Sequence, residues 1–471
     1  LKIKHLSSRM VHLDTDAGGK AELDAEKLLQ NTQTCILDSL KWAETHNLPV
    51  EAMAYSSASA SLVCLDANFT PIRPALTYAD LRAAKESDWL VKTYGRATFS
   101  HTGAPTHASY WLPKLLWLRH QGLESFEMLR FCTIKAFLIY RLTGQFVMDA
   151  CNAGAAGMLN VEEMNWDTLS LEIAGITKNQ LPEILPTTTL LELTEEKKLV
   201  FSVHKRPLKV VLGAMDGVLA SLGAGAFRPG QVSTSLGSSG ACRIASKTPQ
   251  TDTKETRIWS YPLTQDLWVR GGAMNNGGLV TEWLAENFSP SQDRTKQATQ
   301  ELLKAASQIP PGAEGLLFLP YLYGERAPIY DEKARGVYFG LHNQHHQGHF
   351  ARAGLEGILF ALYSIYEILK APGDEPGEIC ATGGYVQSSL MLQIQADIFG
   401  RAILVPSEHE SSVIGAAALA LHALGKITHF DELAAYFVIG THFEPDLVNH
   451  AMYQANFSQF KALYEHLRPL F

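Results

Sequence analysis

The stretch Val210-Val211-Leu212-Gly213-Ala214-Met215-Asp216-Gly217, followed by Val218-Leu219-Ala220-Ser221-Leu222-Gly223-Ala224, decides how the chain is read. The apolar run predicts a buried strand and the small residues after it predict a helix. Gly213 and Gly217 allow a tight exit, which leaves Asp216 at a strand's carboxyl end beside a helix N-terminus. That is a seat for a general base, and equally for an N-cap aspartate. Gln231-Val232-Ser233-Thr234-Ser235-Leu236-Gly237-Ser238-Ser239-Gly240 weighs for the base, because a second strand here enters a Ser/Gly hairpin whose backbone amides and hydroxyls suit phosphate oxygens. A base and a phosphate cradle one hairpin apart point to phosphoryl transfer onto a hydroxyl.

The 471 residues suffice for two or three domains, and a hydrophobic share of 46% with 19% charged residues is the balance of a globular protein. Forty basic against 48 acidic residues give a net charge of −8 without a long basic run, which argues against nucleic acid or an anionic membrane as partner. The six cysteines (Cys35, Cys64, Cys132, Cys151, Cys242, Cys380) form no CxxC pair and lie in apolar contexts, as expected of reduced core residues in a cytoplasmic protein. No run approaches a membrane span, and Leu1-Lys2-Ile3-Lys4-His5 lacks the apolar core of a signal peptide.

Periodicity predicts a helix over about 25–46, with Leu29, Ile36, Leu40 and Ala43 on one face, then strands at Val50–Tyr55 and Leu62–Leu65. Residues 80–180 read as mainly helical, an insertion into an α/β domain. The glycine-rich stretch Gly223–Gly230 reads as a hinge, which divides the chain into domains 1–226 and 227–471. In the second, strands at Gln231–Ser235, Gly315–Pro320 and Ile379–Thr382 alternate with helices at 277–287, 349–370, 388–399 and 412–424. Two related lobes with a cleft between them are the expected architecture.

Other segments carry polar groups suited to a small ligand. In Thr77-Tyr78-Ala79-Asp80-Leu81-Arg82 a carboxylate and a guanidinium two apart could grip a polyol, or Asp80 could cap the next helix. Ser56-Ser57-Ala58-Ser59-Ala60-Ser61 reads as a packing turn or a hydroxyl-lined floor. Gly271-Gly272-Ala273-Met274-Asn275-Asn276-Gly277-Gly278 and Ala381-Thr382-Gly383-Gly384-Tyr385 allow a ligand to approach bare backbone, and Asn275 and Asn276 both donate and accept. Glu325 and Arg326 read as a structural pair between the lobes, with a substrate clamp as the other reading. His342, His345, His346 and His349 have metal-like spacing, but with no cysteine or carboxylate nearby they read as a solvated loop.

In this order the motifs resemble those of the FGGY carbohydrate kinases, within the actin, Hsp70 and hexokinase superfamily, over nearly the whole chain. The resemblance implies an α/β fold of two ribonuclease-H-like lobes, the first with a helical insertion. It implies that Asp216 is the catalytic base and reaches the metal through water, and that ATP and Mg²⁺ are required. ATP would be held by Gly237, Ser238, Ser239 and Gly278, by Gly383 and Gly384 at the adenosine, and by Ser388 near the base. Phe339-Gly340-Leu341 through Arg352-Ala353 and Leu355-Glu356-Gly357 resemble the family's C-terminal signature, and Glu410 with Gly415-Ala416-Ala417 its last helix.

Asn275–Gly278 with Trp283, the run from Leu319 to Pro328, and Tyr78–Arg82 look most like the gluconate kinase branch, with xylulose kinases second. The resemblance therefore implies phosphorylation of D-gluconate, with Asp80, Arg82, Asn275 and Asn276 binding the sugar acid, and it leaves room for a homodimer. Two positions depart from that branch: Ala60 stands where many relatives carry histidine, and Trp111 where a small residue or proline precedes Lys114 and Trp117. The family's opening Asp-x-Gly-Thr hairpin, with the main Mg²⁺ ligand, is expected upstream of Leu1. Asp14-Thr15-Asp16-Ala17-Gly18-Gly19 is no substitute, since it leads into a helix expected near Leu23. That gap makes a weakly catalytic sugar or nucleotide sensor the alternative function.

Overall fold

The computed structural model describes residues 1–123, 125–203, 206–250, 255–370, 376–408 and 410–471. The chain divides into two compact units. The first comprises Leu1–Gly223, Lys247–Val269 and Glu410–Leu433, and the second Ala224–Ser246, Arg270–His409 and Ala434–Phe471. The first crossing lies three residues before the expected boundary at 226/227, and two later stretches return to the first unit, which a single boundary does not anticipate.

At the centre of the first unit, strand Lys209–Met215 runs parallel to Ala52–Ser57 and antiparallel to Leu190–Glu192. The pairing slips between Val211 and Ala214. The amides of Leu212 and Gly213 donate there to the carbonyls of Thr189 and Thr187. Gly213 has φ +72°, and a Cβ on it would overlap the Tyr55 carbonyl oxygen. The glycine expected to ease the strand's exit thus makes a bulge inside the strand, which bends it and sets the direction in which Asp216 leaves the sheet. Helix Asp216–Gly223 starts at once and is covered by helix Ser411–Ala423, the segment that returns late in the chain.

The expected first helix runs over Ala25–Thr45, capped by Asp24, whose side chain accepts from the Lys27 amide, and it buries Ala25, Leu29, Leu40 and Ala43. Ahead of it, Asp16 accepts the amides of Gly18 and Lys20 (2.7 and 3.1 Å). That turn folds Asp14–Thr15 back onto strand Ala21–Leu23. Leu23 therefore ends a strand, and the helix expected near it begins two residues later. Between 80 and 180 the expected helices are present at Ala84–Thr93, Gly95–Thr102, Trp111–His120, Ile134–Thr143, Ala150–Ala155 and Thr168–Ala174. Their core gathers Leu115, Leu116, Leu118, Phe131, Phe137 and Trp111.

In the second unit, which takes strand Leu267–Met274 from Arg270 onward, the main sheet runs in the order Leu267–Met274, Gly240–Ser246, Val232–Leu236, Ile379–Thr382, Ile403–Pro406, Ile439–Phe443. Val232–Leu236 pairs antiparallel with the next strand of its hairpin and parallel with Ile379–Thr382, so the Ser/Gly hairpin and the Gly383-Gly384 loop leave the sheet from neighbouring strands. The expected strand at 315–320 shrinks to Leu317–Leu319, in a separate ribbon with Val337–Phe339. Helices Gly278–Phe288, Gln347–Leu369 and Ser389–Phe399 follow expectation. No helix of the described residues is long and apolar enough to cross a membrane.

Replacing Gly213 tests the bulge. Gly213→Ala should lower unfolding free energy by about 3 kcal/mol, since it joins a left-handed φ to a backbone overlap. Urea unfolding of the two proteins measures it, and a loss below ~0.5 kcal/mol would mean that the strand needs no glycine there.

Candidate functional site

Two backbone segments of the second unit meet at the hairpin tip. The Gly278 amide donates to the Gly237 carbonyl (2.6 Å), the Leu279 amide to the Ser238 carbonyl (3.1 Å), and the Gly237 amide to the Ser239 carbonyl (2.9 Å). The first free amides of helix Gly278–Phe288 are thereby satisfied by the tip. All three tip carbonyls point inward and are bonded. The amides of Ser238 and Ser239 donate to no described residue, and both residues are exposed with their hydroxyls. What faces outward is a set of donors, the polarity that an anion requires.

On the other side of the same strand, Gly383 has φ +97°, and a Cβ on it would stand 2.5 Å from the Leu236 carbonyl oxygen. Gly384 is different, because a Cβ there meets nothing within 4 Å. The loop is pinned by Tyr385, whose hydroxyl bonds Thr234 (3.0 Å) and Gln395 (2.6 Å), a contact that Thr-x-x-x polarity in a strand does not announce. Ser388 caps helix Ser389–Phe399 by accepting the Met391 amide (3.3 Å).

In the first unit Asp216 is half-buried, and its Oδ1 accepts the Gly217 amide (2.6 Å). Asp80 is 1% exposed, and its expected role as an open acceptor for sugar hydroxyls does not fit its surroundings. Oδ2 accepts the Ala21 amide (2.9 Å) and Arg82 Nη2 (2.6 Å), and Oδ1 accepts Arg82 Nε (3.1 Å). Arg82 Nη2 also meets Glu22 (2.5 Å), and its guanidinium lies 4.6 Å over the Trp117 ring. Its Nη1 bonds no described residue, and the side chain is one-fifth exposed (20%). Asp80 therefore orients Arg82, and Arg82 is the member of the pair left with a donor.

Lys114 holds this region together. Its buried ammonium donates to the carbonyls of Ser109 (2.6 Å), Thr77 (2.7 Å) and Ala60 (3.3 Å), one acceptor per proton. Burial pushes its pKa down to about 7, although the Asp80 carboxylate pulls the other way. A lysine within the otherwise apolar first turns of helix Trp111–His120 was the available signal. Trp111 is buried, donates to the Ser61 carbonyl (2.8 Å) and stacks on Trp166. Ser57 reaches Asn152 (3.3 Å), while the chain at Ala60 takes φ +51°.

The paired asparagines brace their own turn. Asn276 is fully buried: its Nδ2 donates to the Gly324 carbonyl (2.6 Å) and Glu325 Oε2 (2.9 Å), and its Oδ1 accepts the Tyr323 amide (3.2 Å). Asn275 accepts Arg326 Nε (2.7 Å) and gives its own amide to Glu325 Oε1 (2.5 Å). Their side chains are thus committed within the second unit rather than held open for a sugar. Glu325 and Arg326, read as a pair between lobes, act on this turn. Burial pushes Glu325 up to about 7. The histidine cluster does have a carboxylate beside it, Glu314, which bonds His349 Nε2 (3.1 Å), and His349 is buried at the start of a helix rather than solvated. Among the described residues no group of three or more ligating side chains could hold a metal.

Residues 2–223 match the N-terminal domain, and residues 232–424 the C-terminal domain, of the FGGY family of carbohydrate kinases. The chain belongs to this family, whose solved members have the two-domain actin and hexokinase-like fold. It is 36% identical over 396 residues to the gluconokinase of Bacillus subtilis, covering 82% of this chain and 76% of that one. Among solved structures it is similar to the gluconate kinase of Lactobacillus acidophilus (TM-score 0.92, 31% identity, 98% of this chain and 92% of the other). It is equally similar to the ligand-bound xylulose kinase of the same organism (TM-score 0.92, 30% identity, the same coverage).

The two glycines of the Gly383-Gly384 loop should separate cleanly. Gly383→Ala is expected to cost about 2–3 kcal/mol of stability, and Gly384→Ala less than about 0.5 kcal/mol. Equal losses in chemical denaturation would mean that Gly384 is packed rather than open.

Proposed function

We propose that the chain transfers the terminal phosphoryl group of ATP to a hydroxyl of D-gluconate, giving 6-phosphogluconate. The observation that carries the ATP half is the hairpin tip: three inward, bonded carbonyls leave Ser238 and Ser239 offering only amides and hydroxyls to a polyphosphate. Gly384 offers bare backbone against which adenosine could lie, with Gly383 and the capping Ser388 shaping that loop. Asp216, oriented by the Gly217 amide, takes the proton of the attacking hydroxyl as its oxygen bonds to phosphorus and the bond to the leaving ADP oxygen breaks. When bound with ATP, Mg²⁺ supplies charge neutralisation on the transferring group, and Asp216 would reach it through water.

For the acceptor, Arg82 supports a sugar acid. Two carboxylates fix the guanidinium in place, and its remaining amino group is a donor for a substrate carboxylate, which a neutral ketose lacks. Likeness to gluconokinases supports the same choice. A xylulose kinase is the second reading, favoured by the equal likeness to that solved structure and by Ala60, which leaves more room beside the sugar than a histidine would.

Asp216→Asn should lower kcat about 10²-fold or more with the sugar KM little changed, because the amide keeps the shape and cannot accept the proton. Retained turnover would remove Asp216 from that role. Gly384→Val should weaken ATP binding in calorimetry while leaving sugar binding intact. In a coupled ADP-release assay, D-gluconate should give a higher kcat/KM than D-xylulose or glycerol. A neutral sugar at the top of that panel would overturn the gluconate assignment, and no phosphorylation of any sugar would favour a sensor.

A further inference from the structure

Glu325 has no part in the chemistry above, yet its carboxylate is placed with unusual care. It is 3% exposed, and three N–H groups converge on it: the amides of Asn275 (2.5 Å) and Arg326 (2.8 Å) on Oε1, and Asn276 Nδ2 (2.9 Å) on Oε2. Its own amide and carbonyl both pair with Asp331 (2.8 and 2.9 Å), so the carboxylate projects from a fixed peptide. Arg326 braces the same turn from its half-buried side, through Asn275 Oδ1 (2.7 Å) and the Met274 carbonyl (3.3 Å). Two residues beyond Asn276, the Gly278 amide begins the pair of bonds that turn the carbonyls of Gly237 and Ser238 inward.

We propose that Glu325 is a positioning residue for the nucleotide, its buried carboxylate fixing the Asn275–Gly278 turn that holds the hairpin tip with its amides outward. This rests on the reading of that tip as the ATP phosphate site. The charged form is the one that fits, because every partner of the carboxylate is a donor and a proton on either oxygen would face an N–H. Asn276 cannot turn to accept it, since its Oδ1 already takes the Tyr323 amide and its Nδ2 the Gly324 carbonyl. Burial raises the Glu325 pKa to about 7, against the pull of its three donors and of the Arg326 charge. Tyr321, on whose hydroxyl the Glu325 charge acts, is itself buried, and burial pushes its pKa well above the usual value, so it stays neutral. Holding the carboxylate charged costs stability that sets in as the pH rises from about 4.5 toward 7, and a glutamine in its place would turn an N–H onto one of the three donors.

The test uses the full chain and a non-hydrolysable ATP analogue with Mg²⁺, titrated by calorimetry into wild type, Glu325→Gln and Ser238→Asp. Glu325→Gln should weaken analogue binding about tenfold at about pH 8, with sugar KM and kcat at saturating ATP within about twofold. The sign with pH distinguishes positioning from structure. As the pH falls through about 7 the wild-type carboxylate gains a proton and comes to resemble the glutamine, so the ratio of the two affinities should shrink toward unity by about pH 6. Titration of the analogue itself is common to both proteins and leaves the ratio untouched. Ser238→Asp adds a like charge at an exposed position and should weaken binding whatever Glu325 does. Unchanged affinity in Glu325→Gln beside a weakened Ser238→Asp overturns the proposal and keeps the phosphate site, as does an affinity ratio constant across pH. Unchanged affinity in both removes the phosphate site and the proposal together. Should Glu325→Gln not unfold cooperatively, Arg326→Gln loosens the same turn from outside and is expected to weaken binding about threefold; no change there overturns the proposal as well.

Discussion

Two hydrogen bonds, from the amides of Gly278 and Leu279 to the carbonyls of Gly237 and Ser238, decide the polarity of the hairpin tip. A hairpin tip ordinarily shows solvent as many acceptors as donors. Here a helix N-terminus, with its own amides in need of acceptors, consumes the carbonyls and leaves the tip's donors outward. One exchange satisfies the helix and builds an anion surface. The Asn275–Asn276 turn and Glu325 behind it serve that geometry, which is why so many polar groups there are buried and fully used.

The first unit follows a comparable rule with charged side chains. Asp80, Glu22 and Arg73 surround Arg82, and Lys114 ties three backbone carbonyls beneath it. Buried charges of this sort are tolerated only when paired and hydrogen-bonded, and their partners fix them in position. Arg82 gains orientation from its two carboxylates and keeps an Nη1 that bonds no described residue. Asp216 leaves the sheet by way of the bulge at Gly213 in the strand that delivers it.

Local pattern made some of this legible. The apolar strand into Asp216, the Ser/Gly hairpin and the amphipathic helix Ala25–Thr45 are all written in periods and turn residues, and each appears where it was expected. Family motifs extended that reading to the order of the lobes. What could not be read depends on partners far apart in sequence. Asp80 and Arg82 look like an open sugar grip until strand Ala21–Leu23 supplies the amide and the Glu22 carboxylate that close it. Asn275 and Asn276 look like ligand amides until Tyr323, Gly324 and Glu325 occupy them. Helix Ser411–Ala423 carries no mark in its own residues that it returns to the first unit to cover Asp216's helix.

The central claim is that the amides of Ser238 and Ser239 are the donors that receive a nucleotide's phosphates. Amide chemical shifts of the ¹⁵N-labelled protein, followed through a titration with ADP and Mg²⁺, read those two groups directly. The account predicts downfield shifts at Ser238 and Ser239 that saturate together with the calorimetric binding curve, while amides of the helix Ala25–Thr45 stay still. Binding seen in the calorimeter with both serine amides unmoved would contradict it.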